Sequence, residues 1–158
     1  KSIKGMRYGR HIDNAFMASG RADLSFTVFL NEQEEYKGGE LFIESLNLEE
    51  KFKLHAGQII IYPSTYLHSV QEVISGERLV FVGWIESYIK SIEEREYLFD
   101  LDAAARSLLA KYGRSNEVDL IFKSYSNLIR LLGNWRNILY KRWKIYFLIS
   151  KMNVEKFL

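Results

Sequence analysis

Apolar and polar residues alternate in short runs over the first 90 positions. Leu24 to Leu30 (LSFTVFL), Leu41 to Glu44, Phe52 to Leu54, Gln58 to Tyr62 and Arg78 to Ser87 are rich in β-branched and aromatic residues. Turn signals separate them: Gly38-Gly39, Ala56-Gly57, Pro63-Ser64 and Ser75-Gly76. Short strands at this spacing predict an all-β sandwich or barrel. After residue 92 the period lengthens, and Tyr97, Leu98, Leu101, Ala105, Leu108, Leu109 and Tyr112 fall on one helical face before Gly113, a natural stop. Ser115 or Asn116 then offers a cap for a second helix, whose apolar face uses Leu120, Ile121, Tyr125, Leu128, Ile129 and Leu132 before Gly133. The expected class is mainly β with C-terminal helices, the β part ending near residue 90 and the helical part running over 91–158.

Composition narrows the chemistry. A chain of 158 residues holds one substantial core, or one domain with an appendage, but not two large domains. No cysteine is present, which removes disulfides, thiolate metal sites and cysteine nucleophiles and leaves histidine and carboxylate as metal ligands. A net charge of +2 gives no reason to expect a nucleic-acid partner. The longest apolar stretch, Ile145 to Ile149, is far short of the roughly 20 residues that span a bilayer, so a soluble, cytoplasmic protein is expected. The segment Asn134 to Leu158 mixes Trp135, Tyr140, Trp143, Tyr146 and Phe147 with Arg136, Lys141, Arg142, Lys144 and Lys151. We expect it to pack its aromatics and extend its lysines into water; the alternative is an adaptor surface for a nucleic acid or membrane.

Two of the three histidines carry the candidate chemistry. In Tyr8-Gly9-Arg10-His11-Ile12-Asp13, an extended backbone would put His11 and Asp13 on one face, about 7 Å apart at Cα, where imidazole and carboxylate can share a metal. That pair alone is a common coincidence. His68 follows the strand Gln58 to Tyr62 and its Pro-Ser turn, and would complete the two-histidine, one-carboxylate set of non-haem Fe(II) oxygenases. Zinc accepts the same ligands. Arg78, ten positions after His68, offers a bidentate fork for the remote carboxylate of a dicarboxylic cosubstrate; its bland role would be a surface pair with Glu77 or Glu86. If Ser75-Gly76-Glu77 closes a hairpin, Ile74 pairs with Arg78, His68 lies opposite Trp84, and His68, Ile74 and Arg78 share a face. His55 enters a glycine turn without an acidic partner at ligand spacing, and reads as surface structure. Asp23 and Glu40 are candidates to support the ligands, and Gly38-Gly39 matches no phosphate loop.

The ordered motifs Tyr8-x-x-His11-x-Asp13-Asn14-Ala15, Arg21-x-Asp23-Leu24-Ser25, Phe29-Leu30-Asn31, Tyr36-x-Gly38-Gly39-Glu40-Leu41, Lys53-Leu54-x-Ala56-Gly57, Tyr62-Pro63-Ser64, His68-x-Val70, Gly76-x-Arg78 and Trp84-Ile85 resemble the PKHD-type hydroxylases. These belong to the prolyl-4-hydroxylase-like branch of the Fe(II)- and 2-oxoglutarate-dependent dioxygenases. The match covers residues 5–90 and continues more loosely to Trp135. It implies a double-stranded β-helix, or jelly-roll, barrel. It also implies Fe(II) on His11, Asp13 and His68, and 2-oxoglutarate anchored by Arg78 with Tyr8 lining the pocket. Oxidative decarboxylation to succinate and CO2 would accompany hydroxylation of a small molecule or protein side chain, with ascorbate keeping the iron ferrous.

Gln33 and Glu72 replace expected prolines and Glu86 an expected glutamine, which bears on substrate fit more than on iron. Family members carry a barrel strand and helices before Tyr8, so the resemblance implies a barrel short of its N-terminal part, with Arg136 to Leu158 extending past the family's usual end. The rival reading keeps the fold and a metal without catalysis; Arg78 separates the two, because a metal-binding barrel needs no dicarboxylate anchor.

Overall fold

The structure, a computed structural model, describes residues 1–18, 20–45 and 48–134. The basic-aromatic tail beyond Asn134 therefore lies outside the described residues. Those that are described fall into two compact units, Lys1–Glu86 and residues 87–134.

Among the described residues the first unit has twelve short strands: β1 (Ser2–Ile3), β2 (Tyr8–His11), β3 (Phe16–Met17), β4 (Gly20–Arg21), β5 (Leu24–Phe29), β6 (Tyr36–Gly38), β7 (Leu41–Glu44), β8 (Glu49–Phe52), β9 (Ile59–Pro63), β10 (Leu67–Val70), β11 (Val73–Arg78) and β12 (Val80–Ile85). They form antiparallel sheets in the orders β2-β10-β7-β8, β12-β5-β9 and β1-β11-β6, with β3 and β4 paired together. Most neighbours are distant in sequence, so the pairing is non-local and turns alone do not fix it. The core cluster is Phe29, Leu41, Ile43, Ile60 and Tyr62, with Phe52, Leu54, Tyr66, Val70 and Val80 packed on it. Full burial of an aliphatic or phenylalanine side chain such as Phe29, Leu41 or Ile60 contributes about 1.5–3 kcal/mol.

Strand β5 shows how this core differs from a purely apolar one. Its fully buried positions are Ser25, Thr27 and Phe29, whereas Leu24, Phe26 and Val28 are half-buried on the other face. Two hydroxyls pointing inward require partners there. They find them in the polar site described below.

The hairpin expected around Ser75-Gly76 is not formed. Residues 73–78 run as one strand, β11, which pairs with β1 and β6, while β10 lies between β2 and β7. His68 accordingly faces His11 and Ile43 across the ladders, not Trp84. A register shift between Val73 and Ser75 breaks the alternation, so Val73 and Arg78 are both buried although five positions apart, and Ile74 is exposed. Gly76 has φ +77°, and a Cβ there would overlap the Glu35 carbonyl oxygen and lie 2.8 Å from the Tyr36 Cα. Its glycine serves close approach of β6 rather than a turn.

The second unit contains α1 (Ile92–Tyr112) and α2 (Asn116–Leu132), packed against each other. Ser91 Oγ accepts from the Glu94 amide and Ser115 Oγ from the Val118 amide, so Ser115 is the cap of α2. The Gly113 and Gly133 amides close the last turns on Leu109 and Ile129. Along α1 the expected apolar stripe is only partly used: Leu98 and Ala105 are buried, but Tyr97 and Tyr112 lie in solvent. No helix among the described residues is long and apolar enough to cross a membrane.

Candidate metal centre

Pairing of β2 with β10 sets His11 directly opposite His68, with ring centroids 4.2 Å apart. Asp13 lies two residues past the end of β2, so its carboxylate reaches the histidines from a loop and not from the strand alternation expected. His11 Nε2 is 4.0 Å from Asp13 Oδ1 and His68 Nε2 is 3.8 Å from Asp13 Oδ2. The three side chains are the candidate ligand set, with one donor atom from each within 4.8 Å of the others. Bonds of about 2 Å to one ion would put two donors at most about 4 Å apart, and both separations fall at that limit.

The other ring nitrogens are already committed. His11 Nδ1 is 2.7 Å from the Gly9 carbonyl and His68 Nδ1 is 3.0 Å from the Tyr66 carbonyl. A carbonyl only accepts, so each Nδ1–H donates, which leaves the Nε2 of each ring on the side of Asp13. A carbonyl behind the imidazole is the arrangement that orients a metal ligand. Asp13 is oriented too: Ser25 Oγ donates to its Oδ2, and Ser25 in turn lies 2.7 Å from Ser64 Oγ. Both serines are almost fully buried. Neither has a role in the sequence pattern; only Ser25 carried a signal, as a hydroxyl at a core-facing position of a β-rich run, whereas Ser64 reads as part of a turn.

Arg78 is the second focus. It is only 4% exposed, so the surface pair with Glu77 or Glu86 does not occur: Glu77 pairs with Lys1 at 2.8 Å, and Glu86 with Arg21 at 3.6 Å. Its backbone is pinned on both sides by Asn31, whose Nδ2 donates to the Glu77 carbonyl at 2.8 Å and whose Oδ1 accepts from the Leu79 amide at 3.0 Å. No carboxylate pairs with it among the described residues, and its Nε lacks a hydrogen-bond partner. Burial lowers the affinity of this guanidinium for its proton, with the phenols of Tyr36 and Tyr62 opposing the effect; an arginine nonetheless stays charged. A buried cation without a counter-ion is costly and demands an anion.

Tyr62 connects the two foci. Its ring lies 5.1 Å from that of His68, and burial, with the negative charge of Asp13 next, pushes its phenol well above its ordinary range, with Thr27 and Arg78 opposing. Tyr8, expected to line the pocket, is 60% exposed and meets the His11 ring edge-on at 4.3 Å. His55 lies on the surface as expected, although folding supplies an acidic neighbour that spacing did not reveal: its Nδ1 is 2.8 Å from Glu32 Oε2, and Gln33 Nε2 is 2.7 Å from its Nε2. Asp23 forms a bidentate pair with Arg21 at 2.8 and 2.9 Å.

Two imidazole nitrogens and a carboxylate, with a buried arginine in the same unit, are the donor set of the non-haem iron oxygenases that use a 2-oxoacid. Over residues 2–86 the chain matches the 2OG-Fe(II) oxygenase superfamily, to which it belongs, and over residues 93–134 it matches the PKHD-type hydroxylase C-terminal domain. It is 80% identical over 133 residues to a PKHD-type hydroxylase of Prochlorococcus marinus (strain MIT 9215), covering 84% of this chain and 60% of that protein. A second PKHD-type hydroxylase, from strain MIT 9312, is 74% identical over 85% of this chain and 61% of its own length. The chain thus spans about three fifths of the curated relatives it matches. A solved Pseudomonas putida prolyl-4-hydroxylase is 29% identical with a TM-score of 0.46, over 54% of this chain and 48% of that one. That match is too loose to bear on the fold.

Proposed function

We propose that the protein is an Fe(II)- and 2-oxoglutarate-dependent dioxygenase that hydroxylates a small molecule or protein side chain. In this reading His11, Asp13 and His68 hold the iron and Arg78 receives the remote carboxylate of 2-oxoglutarate. The iron, when bound, supplies the activation of O2. Substrate, 2-oxoglutarate and O2 then give hydroxylated substrate, succinate and CO2, with ascorbate as the reductant that keeps the iron ferrous. The strands form the greater part of a jelly-roll barrel, residues 1–90 are its catalytic core, residues 91–158 are a helical extension, and the site of action is the cytoplasm.

The observation that carries the reading is the buried Arg78, without a carboxylate partner among the described residues, in the same unit as a His-Asp-His cluster whose two Nε2 atoms lie toward one carboxylate. A barrel that merely stored a metal would not retain an uncompensated guanidinium. The chain's own groups do the positioning: the Gly9 and Tyr66 carbonyls fix the imidazoles, Ser25 fixes Asp13, and Asn31 fixes the backbone on either side of Arg78. A cleft of about 240 Å³, whose lining includes Ile43, Glu50, Phe52, Ile60, Tyr62 and Tyr66, shares Tyr62 with the surroundings of His68 and is the candidate route for substrate.

Arg78→Gln tests this reading. With Mn(II) in place of iron, 2-oxoglutarate should bind about 100-fold more weakly, the worth of two charge-assisted hydrogen bonds. The melting temperature should hold or rise, because the substitution removes a buried charge without a partner. Unchanged binding in the variant would remove Arg78 from the site.

A further inference from the structure

The face of the β2-β10-β7-β8 sheet that carries the two histidines also carries a carboxylate outside the candidate ligand set. Directly opposed residues of antiparallel strands share a face, and the registers set His11 against His68, His68 against Ile43 and Ile43 against Glu50. One row of side chains therefore runs across all four strands, from the candidate ligands to Glu50. At about 4.8 Å per strand, Glu50 stands on the order of 10 Å from His68 at the backbone, with Ile43 between them.

Strand β8 alternates along its length. Glu49 and Lys51 are exposed, whereas Glu50 and Phe52 are half-buried and line the cleft that also includes Ile43, Ile60, Tyr62 and Tyr66. Among the described residues Glu50 is the charged member of an otherwise uncharged lining, and its carboxylate has neither an ion pair nor a hydrogen bond there. Glu44, its neighbour on β7, is by contrast held by Arg10. Charge on an edge strand such as β8 discourages pairing with another chain, but Glu49 and Lys51 already supply that charge and face away from the cleft.

An ionised carboxylate only accepts hydrogen bonds, so its complement is a cationic donor. The apolar walls beside it complement carbon. At about 240 Å³ the cleft is smaller than the roughly 300–1,000 Å³ of drug-sized ligand sites, which suits a short chain. We propose that Glu50 is a specificity-determining residue, docking the cationic end of an alkylammonium substrate whose carbon chain lies along the cleft toward His68. This rests on the reading of the cleft as the substrate route of a dioxygenase.

The probes are 1-pentylammonium and 1-pentanol, alike in chain and different in charge. Their affinities are measured by calorimetry for wild type, Glu50→Gln and Glu49→Gln, each loaded with Mn(II) and 2-oxoglutarate. Wild type should prefer the ammonium, and Glu50→Gln should weaken it about tenfold, as for loss of a charge-assisted hydrogen bond. Pentanol should stay within twofold in that variant, and both probes within twofold in Glu49→Gln. Paramagnetic relaxation by Mn(II) should fall more strongly on the methyl end of bound pentylammonium than on the protons beside its nitrogen. Equal weakening of both probes in Glu50→Gln would reduce the residue to wall packing and overturn the proposal. So would unchanged ammonium binding in that variant, an equal loss in Glu49→Gln, or a nitrogen end nearer the metal. Any of these in protein that binds 2-oxoglutarate sinks the proposal alone; folded wild type that binds no 2-oxoglutarate sinks the dioxygenase reading, and the proposal with it.

Discussion

His68→Ala is expected to abolish the visible band that Fe(II) and 2-oxoglutarate develop together under anaerobic conditions, while His55→Ala leaves the band intact. His68 is 6% exposed, its Nδ1 is occupied by the Tyr66 carbonyl, and its Nε2 is aimed at Asp13. Removing it leaves one imidazole and one carboxylate, too few protein donors to hold a ferrous ion against water. Metal affinity should drop by at least about 100-fold, matching the upper range seen for loss of mere supporting groups around a ligand. His55, by contrast, is exposed and bonded to Glu32 and Gln33. A far-ultraviolet spectrum matching wild type would show that His68→Ala acts on the site and not on the fold. Equal loss in the two variants would point to a different metal position.

Gly76→Ala should be among the most damaging single-methyl additions in the β unit, at a cost on the order of 4 kcal/mol. Two costs combine there. The backbone is left-handed at φ +77°, and the new Cβ would overlap the Glu35 carbonyl oxygen and crowd the Tyr36 Cα at 2.8 Å. Both neighbours are backbone, so no side chain can swing aside, and the β6–β11 ladder that positions Tyr36 and Arg78 would have to part. Gly9→Ala is the control, because a Cβ at Gly9 meets nothing within 4 Å and no positive φ is required. Its stability should change by less than about 0.5 kcal/mol. Chemical denaturation of the two variants reads the contrast, and similar midpoints for both would mean that β6 and β11 do not approach as closely as described.

The strands whose apolar runs are bounded by clear turn residues could be read from the sequence: Leu24–Phe29, Leu41–Glu44 and Ile59–Pro63 lie within a residue or two of expectation. Those flanking the site could not. Leu67–Val70 carries a histidine and a serine in place of an apolar alternation, and Val73–Arg78 contains Ser75-Gly76, which looks like a turn. Each is stabilised by partners more than 20 residues away, a contact that no local pattern encodes. The same limit applies to the helices in part. Their caps and stops were visible at Ser115, Gly113 and Gly133, but the buried stripe of α1 is narrower than its periodicity implied.

At the site, residue types suggested His11, Asp13, His68 and Arg78, and the structure brings the first three together through the β2–β10 register. What pattern could not supply was the surrounding polar order. Ser25, Ser64 and Asn31 are ordinary residues in a list, and only their burial gives them consequence. His55 makes the complementary point: it lacked an acidic neighbour in sequence and gained Glu32 by folding, 23 positions away.

The central claim is that this fold binds ferrous iron and 2-oxoglutarate together and couples them to O2. Adding Fe(II) and then 2-oxoglutarate to the wild-type protein without oxygen should raise a weak visible charge-transfer band, and admitting O2 should discharge it with formation of succinate even when no substrate is supplied. A folded protein that gives neither band nor succinate would contradict the account.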